Sequence, residues 1–273
     1  MNSTIKHFTL SDKEFEKFSR LIFKYAGIHM NMTKKALVEG RLRKRLVANN
    51  LETYEDYYKI VKNENNAVEK QIFIDQLTTN ETWFFREEKH FDFVQKQLSE
   101  TNPSNPISLW SAACSSGQEP YSLAMLLAEE RTLNRPWDIL ATDISTDILR
   151  KARKGVYLTH RIKGLSKYRM QQFMLKGVRS QSDYVAIAPE LKKKIEFRQF
   201  NLISTALPTK KFDYIFCRNV LIYFDTVEKH QVVKRLSECL KMGGFLFTGH
   251  SESLHGVFEH LKVVQPSVYK RVK

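Results

Sequence analysis

Hydrophobic positions along the chain change their spacing near residue 75. Before that point they recur at helical intervals between polar breaks. SDKEFEKFSRLIFKYAG (11–27) opens on a serine with a glutamate three residues on and closes at Gly27, the pattern of a capped amphipathic helix. In TKKALVEGRLRKRLVANN (33–50) a threonine N-cap predicts a second helix, with Lys34, Arg41 and Arg45 on one side and Leu42 and Leu46 turned to another. Residues 1–74 thus predict a small helical domain. From about residue 105, β-type runs (PISLWSAAC, WDILATDI, KIEFRQFNL, FDYIFCRN, FLFTGHSE) alternate with helical ones (EPYSLAMLLAEER, STDILRKARKG, TVEKHQVVKRLSECLKMGG), and LKVVQPSVYKRV adds a last strand pair. Such alternation implies a doubly wound α/β fold, a parallel sheet covered on both faces.

Composition narrows the class without naming a function. At 273 residues, 42% hydrophobic and 27% charged, the chain has the make-up of a globular protein with one large or two modest domains. It has no apolar run of the roughly 18 residues that span a bilayer, and MNSTIKHFTLSDKEFEKF lacks a signal peptide's apolar stretch. A soluble cytoplasmic protein is expected. Cys114, Cys217 and Cys239 are odd in number and widely spaced, so they read as buried thiols, and no zinc-type spacing or metal site is expected. The net charge of +14 is uneven: residues 151–200 carry 13 Lys/Arg against 3 Asp/Glu, and KKALVEGRLRKRL (34–46) has six basic residues and one acid. Such patches suit nucleic acid, an anionic membrane, an acidic protein surface, or solvent alone.

A doubly wound sheet binds ligands beyond the carboxyl ends of its strands. After the first strand, SAACSSGQEP offers small residues and a turn at Gly117, but no G-x-G-x-x-G dinucleotide fingerprint. After the second, ATDIS places Asp143 where a carboxylate can accept ribose hydroxyls or cap the next helix. In LTTNETWFFREEKHF (77–91), Asn80 fits a helix N-cap, Arg86 a surface partner for Glu87 or Glu88, and Trp83, Phe84 and Phe85 a core. Tyr223 beside Phe224 fits a core aromatic.

Five ordered stretches change those odds: TNETWFFRE, WSAACSSGQEPYS, ATDIS, FCRNVLIYF and GHSESL. Together they resemble the signatures of the CheR family of chemoreceptor methyltransferases, and the match runs nearly end to end. The resemblance implies a Rossmann-like methyltransferase domain over 105–273, a lid over 75–104, and an antiparallel β-subdomain inserted at about 155–195. It implies S-adenosylmethionine as cofactor, with S-adenosylhomocysteine as product. By the same resemblance, Asn80, Thr82 and Arg86 cross the cofactor, and Glu119 and Asp143 hold its amino-acid and ribose ends respectively, or share those ends. Asn201 and Leu202 flank adenine, Arg218 and Asn219 close the site, and Tyr223 faces the methyl group. Arg86 and Tyr223 are the candidate catalytic residues.

The implied reaction esterifies glutamates on methyl-accepting chemotaxis receptors. A glutamate carboxylate, with a pKa near 4.3, is already ionised at neutral pH, so no general base is needed. His90, His250 and His255 therefore receive no role. Lys34, Arg41 and Arg45 are expected to steer the glutamate-rich receptor helix. The β-subdomain can dock a receptor C-terminal tail in this family, usually with a Gly-x-Gly turn, whereas LKGVRSQSDYV keeps Gly177 and has Arg179 in the second glycine's place. A monomer without nucleic-acid partner or membrane insertion is expected. Two rivals are a nucleic-acid methyltransferase, disfavoured because the basic stretch has few stacking aromatics, and a non-catalytic cofactor sensor.

Overall fold

The computed structural model describes residues 8–162, 164–254 and 259–273. His255 and the first seven residues, on which the signal-peptide expectation partly rests, lie outside them. The chain divides into two compact units, one running to Thr79 together with Tyr223–Asp225, the other Asn80–Ile222 and Thr226–Lys273.

The first unit is helical: α1 (Asp12–Ala26), α2 (Lys35–Ala48), α3 (Tyr54–Lys62) and α4 (Ala67–Leu77). The Ser11 side chain accepts the Glu14 N–H and the Glu14 carboxylate accepts the Ser11 N–H, while Gly27 ends α1 at φ 69°. Such a cap contributes about 1 kcal/mol. Thr33 does not cap α2. It lies within a 3₁₀ turn, Met32–Lys34, where its hydroxyl donates to Asn31 Oδ1, and the α-helix begins only at Lys35. The unit's core is aromatic: Phe18 sits 5.8–6.4 Å, ring to ring, from Tyr54, Tyr57, Tyr58 and Phe73. Large rings give a short helical stretch the apolar area it needs.

The second unit opens with α5 (Lys89–Ser99), β1 (Ile107–Ser111), α6 (Gln118–Arg131), β2 (Trp137–Asp143) and α7 (Thr146–Lys154). An insertion follows, with β3 (Val156–Leu158), α8 (Lys167–Phe173), β4 (Met174–Lys176), β5 (Tyr184–Ile187) and α9 (Pro189–Lys192). The main sheet resumes with β6 (Ile195–Gln199), β7 (Phe212–Phe216), α10 (Thr226–Glu238), β8 (Leu240–Phe247), β9 (Leu261–Gln265) and β10 (Val268–Arg271). Its order is β6-β2-β1-β7-β8-β10-β9, and the insertion forms a separate sheet, β3-β5-β4.

Strands β6 to β8 are parallel, whereas β10 and β9 add antiparallel pairs at one edge. The insertion's pairs are antiparallel too. All five residues of β1 are buried, as a central strand covered on both faces requires. One expected boundary moves: α10 stops at Glu238, and the Lys-Met-Gly-Gly stretch belongs to β8, where pairing with β7 shifts register and Gly243 takes φ 78°. The glycines there serve a bulge instead of a helix end.

Chain order reverses between β1 and β7: from β1 the chain moves outward through β2 to β6, then crosses to β7. That reversal is the topological switch point, where such folds hold ligands.

Candidate active site

The loops leaving β1, β2, β6 and β7 bring most of the expected residues to one end of the sheet. Gly117, at φ 95°, turns the chain into α6, and a Cβ there would meet the Tyr121 ring at 3.0 Å and Ala152 at 3.1 Å. That turn sets Glu119 in the first turn of α6. Ser111, the last residue of β1, donates its hydroxyl to Glu119 Oε1 at 2.7 Å. From the loop after β7, Arg218 Nη1 reaches Glu119 Oε2 at 3.1 Å, so an ion pair bridges the switch point.

Arg218 is the hub. Its side chain is 1% exposed and also pairs with Glu87 Oε2 at 3.1 Å. It donates as well to the carbonyl of Arg86. Glu87, at φ 58°, accepts further bonds from the Asn219 side chain at 3.2 Å and the His250 N–H at 3.3 Å. Neighbouring carboxylates respond differently. Burial pushes Glu119 upward, and Arg218 with the Ser111 hydroxyl offset this only in part. Glu87 is also driven up by burial, but Arg218 and the Asn219 amide outweigh it and leave the group below the usual carboxylate range.

Asp143 ends β2 with its carboxylate gripped by two backbone amides, Ser115 at 2.9 Å and Ser145 at 3.0 Å. It is not the cap of α7, because Ser145 is: its side chain accepts the Ile148 N–H. Two amides fix the carboxylate plane. The Phe200 N–H donates to the Asp143 carbonyl at 3.0 Å, which holds Asn201 and Leu202 at the adjoining end of β6. The Asn201 side chain accepts the Ile203 N–H at 3.2 Å and closes that turn, and Leu202 is buried.

The residues of the 77–91 stretch divide. Phe84 and Phe85 are core, 1% and 5% exposed, while Trp83 is half-buried with the Arg86 guanidinium stacked 4.4 Å from its ring. Arg86 therefore pairs with neither Glu87 nor Glu88 in the manner of a surface ion pair; it donates instead to the Glu81 carbonyl at 3.0 Å. Asn80 caps no helix, since the next one begins at Lys89, and its carbonyl accepts the Ser115 hydroxyl at 2.9 Å. Thr82 is half-buried in the same irregular stretch.

Tyr223 groups with the helical unit. There its carbonyl accepts the His29 N–H at 2.8 Å, and its side chain is half-buried, which separates it from a fully packed core aromatic.

The basic side of α2 is partly engaged by the chain itself. Arg45 grips Glu69 with two bonds of 2.8 and 2.7 Å, and Arg41 donates to the carbonyls of Leu77 and Thr78 at 3.1 and 3.0 Å. Both guanidiniums are partly exposed and bond within the helical unit. Lys34 is exposed.

Three residues of the network had no role in the sequence reading. Glu87 stood in the quoted motif only as a possible partner of Arg86. Ser111 carried no signal beyond ending a strand. Glu252, 1% exposed, accepts the N–H groups of Gly249 at 2.6 Å, Asn219 at 2.7 Å and Ile222 at 3.2 Å, and so shapes the loop that carries Arg218 and Asn219. Its lone signal was an acid within GHSESL.

The donor set fits S-adenosylmethionine: a buried carboxylate for an ammonium, a fixed carboxylate for a diol, a guanidinium for a carboxylate, and apolar walls. Comparison with known proteins agrees. Residues 13–78 match the model of the CheR methyltransferase all-alpha domain, and residues 80–270 that of the CheR methyltransferase SAM binding domain. A chemotaxis protein methyltransferase of Borreliella burgdorferi is 35% identical over 99% of this chain and 100% of its own. One from Escherichia coli is 37% identical over 93% of this chain and 87% of its own. With both domain models matched in order and relatives above 30% identity across nearly the whole length, the chain belongs to the CheR methyltransferase family.

Proposed function

We propose that this chain uses S-adenosylmethionine to esterify glutamate side chains of chemoreceptors. The observation that carries the reading is the ion pair across the switch point, Glu119 to Arg218, with Asp143 fixed one strand away. When bound, the cofactor supplies a methyl group on a cationic sulfonium. Glu119 receives its ammonium, Arg86 its carboxylate, Asp143 the ribose, and Asn201 with Leu202 the adenine. Thr82 and Asn80 line the lid. Arg218, saturated by Glu87, Glu119 and the Arg86 carbonyl, acts by holding Glu119 and the lid backbone in place, and Asn219 is set by Glu252.

The acceptor carboxylate arrives ionised, so these residues have no proton to remove. Alignment and exclusion of water supply the acceleration, and positioning alone is worth about 7 kcal/mol or more. Tyr223 orients the acceptor. The glutamate-rich receptor helix is attracted by exposed Lys34, just before α2, and Lys44 on it, while Arg41 and Arg45 hold α2 itself in position.

A receptor tail is a second contact, along the short sheet β3-β5-β4. The departure at Arg179 does not remove the turn. Arg179 takes φ 54°, the conformation a glycine would favour, at a cost of about 1 kcal/mol. Gly177 is required as it stands, because a Cβ there would meet the Gln181 carbonyl at 1.9 Å.

The test is incubation with methyl-tritiated cofactor and receptor cytoplasmic fragments, followed by mild alkali. Release of volatile tritiated methanol identifies a carboxyl methyl ester. Label on added RNA, or on receptor in alkali-stable form, would remove the proposal, and cofactor binding without any label would make the chain a sensor.

A further inference from the structure

Two histidines with no part in methyl transfer converge on Glu87. The ligand atoms of Glu87, His90 and His250 lie within 4.8 Å of one another. His90 is 1% exposed, and its Nε2 stands 2.8 Å from Ser267 Oγ. The Ser267 hydroxyl donates to the Pro266 carbonyl at 2.6 Å. A hydroxyl has one proton, and both contacts are satisfied together when Ser267 Oγ accepts from His90, the tautomer with its proton on Nε2 and a lone pair on Nδ1.

That Nδ1 is buried without a hydrogen-bond partner, and it faces Glu87 Oε2 at 3.5 Å. At that separation the pair makes no hydrogen bond. Two acceptors thus oppose each other in a buried place, which is costly unless something electron-poor lies between them. The half-exposed His250 completes the group, with Nε2 3.9 Å from the same carboxylate oxygen.

We propose that Glu87, His90 and His250 form a binding site for a divalent transition-metal cation of the zinc class, ligated by His90 Nδ1, His250 Nε2 and the Glu87 carboxylate. Ligands at about 2.0–2.2 Å from a tetrahedral zinc stand about 3.4 Å apart, close to the 3.5 and 3.9 Å separations here. Two imidazoles and a carboxylate suit such a metal. Ser267 plays the outer partner that fixes a ligating histidine's tautomer. Arg218 opposes the cation, yet it retains Glu119 as a second partner, and the two carboxylates outnumber it. No short motif announces the site, because its third ligand lies far along the chain.

The untagged full-length chain is titrated with Co²⁺, whose visible absorption reports a low-coordinate nitrogen–oxygen site, and then with Zn²⁺. One equivalent of Co²⁺, displaced by Zn²⁺, is expected. His250→Ala, an exposed position checked by circular dichroism, should weaken Co²⁺ binding on the order of a hundredfold, and Ser267→Ala, which touches no metal, by about 10- to 100-fold. No absorption from the wild-type chain up to about 1 mM Co²⁺, or a His250→Ala titration that overlays the wild type, overturns the proposal and leaves the position to a bridging water. The readout needs neither cofactor nor receptor, so its failure is separate from failure of the methyltransferase reading.

Discussion

Glu69 in the helical unit and Glu119 in the methyltransferase unit are both largely buried carboxylates held by an arginine, yet their acidities move in opposite directions. Burial pushes Glu69 up, but two bonds from Arg45 and one from the Tyr57 hydroxyl outweigh it, and the group ends below the usual range. Glu119 has a single bond from Arg218 and one from Ser111, too few to offset burial, and ends above it. A saturated carboxylate is scaffold. An under-satisfied one is where a cationic ligand gains most, because its arrival completes a charge already buried.

The largest effect should come from breaking the hub. Arg218→Ala leaves Glu87 and Glu119 both buried without their cation, and removing one partner of a buried pair costs about 3–5 kcal/mol. Urea unfolding should register that loss, and methyl transfer should vanish. If stability changed by less than about 1 kcal/mol, the pair would be no more than a surface contact, and the comparison would collapse.

Arg45→Ala comes next, at about 3 kcal/mol by the same mechanism, since Glu69 would keep only the Tyr57 hydroxyl and a long Asn49 contact of 3.5 Å. Calorimetry should find the cofactor affinity of the folded protein unchanged. Unaltered stability with a raised KM for receptor would reverse the assignment and return Arg45 to a docking role.

Glu119→Gln sharpens the contrast. Removing a charge that burial disfavours should leave stability within about 1 kcal/mol, while cofactor Kd rises about 10- to 100-fold through the lost charged contact of about 1.5–3 kcal/mol. The pH dependence has a definite sign. Because the folded carboxyl is raised, it takes up a proton above the usual carboxylate range as pH falls. Below that point binding an ammonium must first expel the proton, so Kd should rise on acidification. The same carboxyl favours the folded state at low pH, and that contribution is lost as pH rises through its folded value. Glu119→Gln should flatten this acid limb of the binding curve, and a limb that persists unchanged would assign it to another group.

Strand–helix alternation showed the α/β fold, and β1 could be read because a central strand is apolar throughout. The end of α10 could not, since Lys-Met-Gly-Gly serves a helix stop and a bulge equally well and only pairing with β7 decides. Glu119 and Asp143 could be singled out as candidates because loops after β1 and β2 lie at fixed places in such folds. Glu87 and Glu252 were not, because their work is to accept bonds from Arg218, from Asn219 and from backbone amides brought near by tertiary folding. The bonds of Arg41 and Arg45 were hidden for the same reason: helical spacing shows which side a cation is on, and not that Leu77, Thr78 and Glu69 meet it there.

The smallest effect is expected at Tyr223. Its place is set by the main chain, through the bond from the His29 N–H to its carbonyl, so Tyr223→Phe should remove a hydroxyl and little else. Stability should stay within about 0.5 kcal/mol. If the phenol orients the acceptor, kcat should fall about tenfold, the worth of one hydrogen bond of about 1.4 kcal/mol made chiefly in the transition state. Cofactor Kd should not move, in contrast to Glu119→Gln, and that split separates a residue that places the acceptor from one that holds the cofactor. Equal losses in kcat and cofactor affinity would put Tyr223 among the cofactor ligands. An unchanged kcat at saturating receptor would leave the ring as packing in the helical unit and hand orientation of the acceptor to Arg86, the other candidate, whose guanidinium stacks on Trp83.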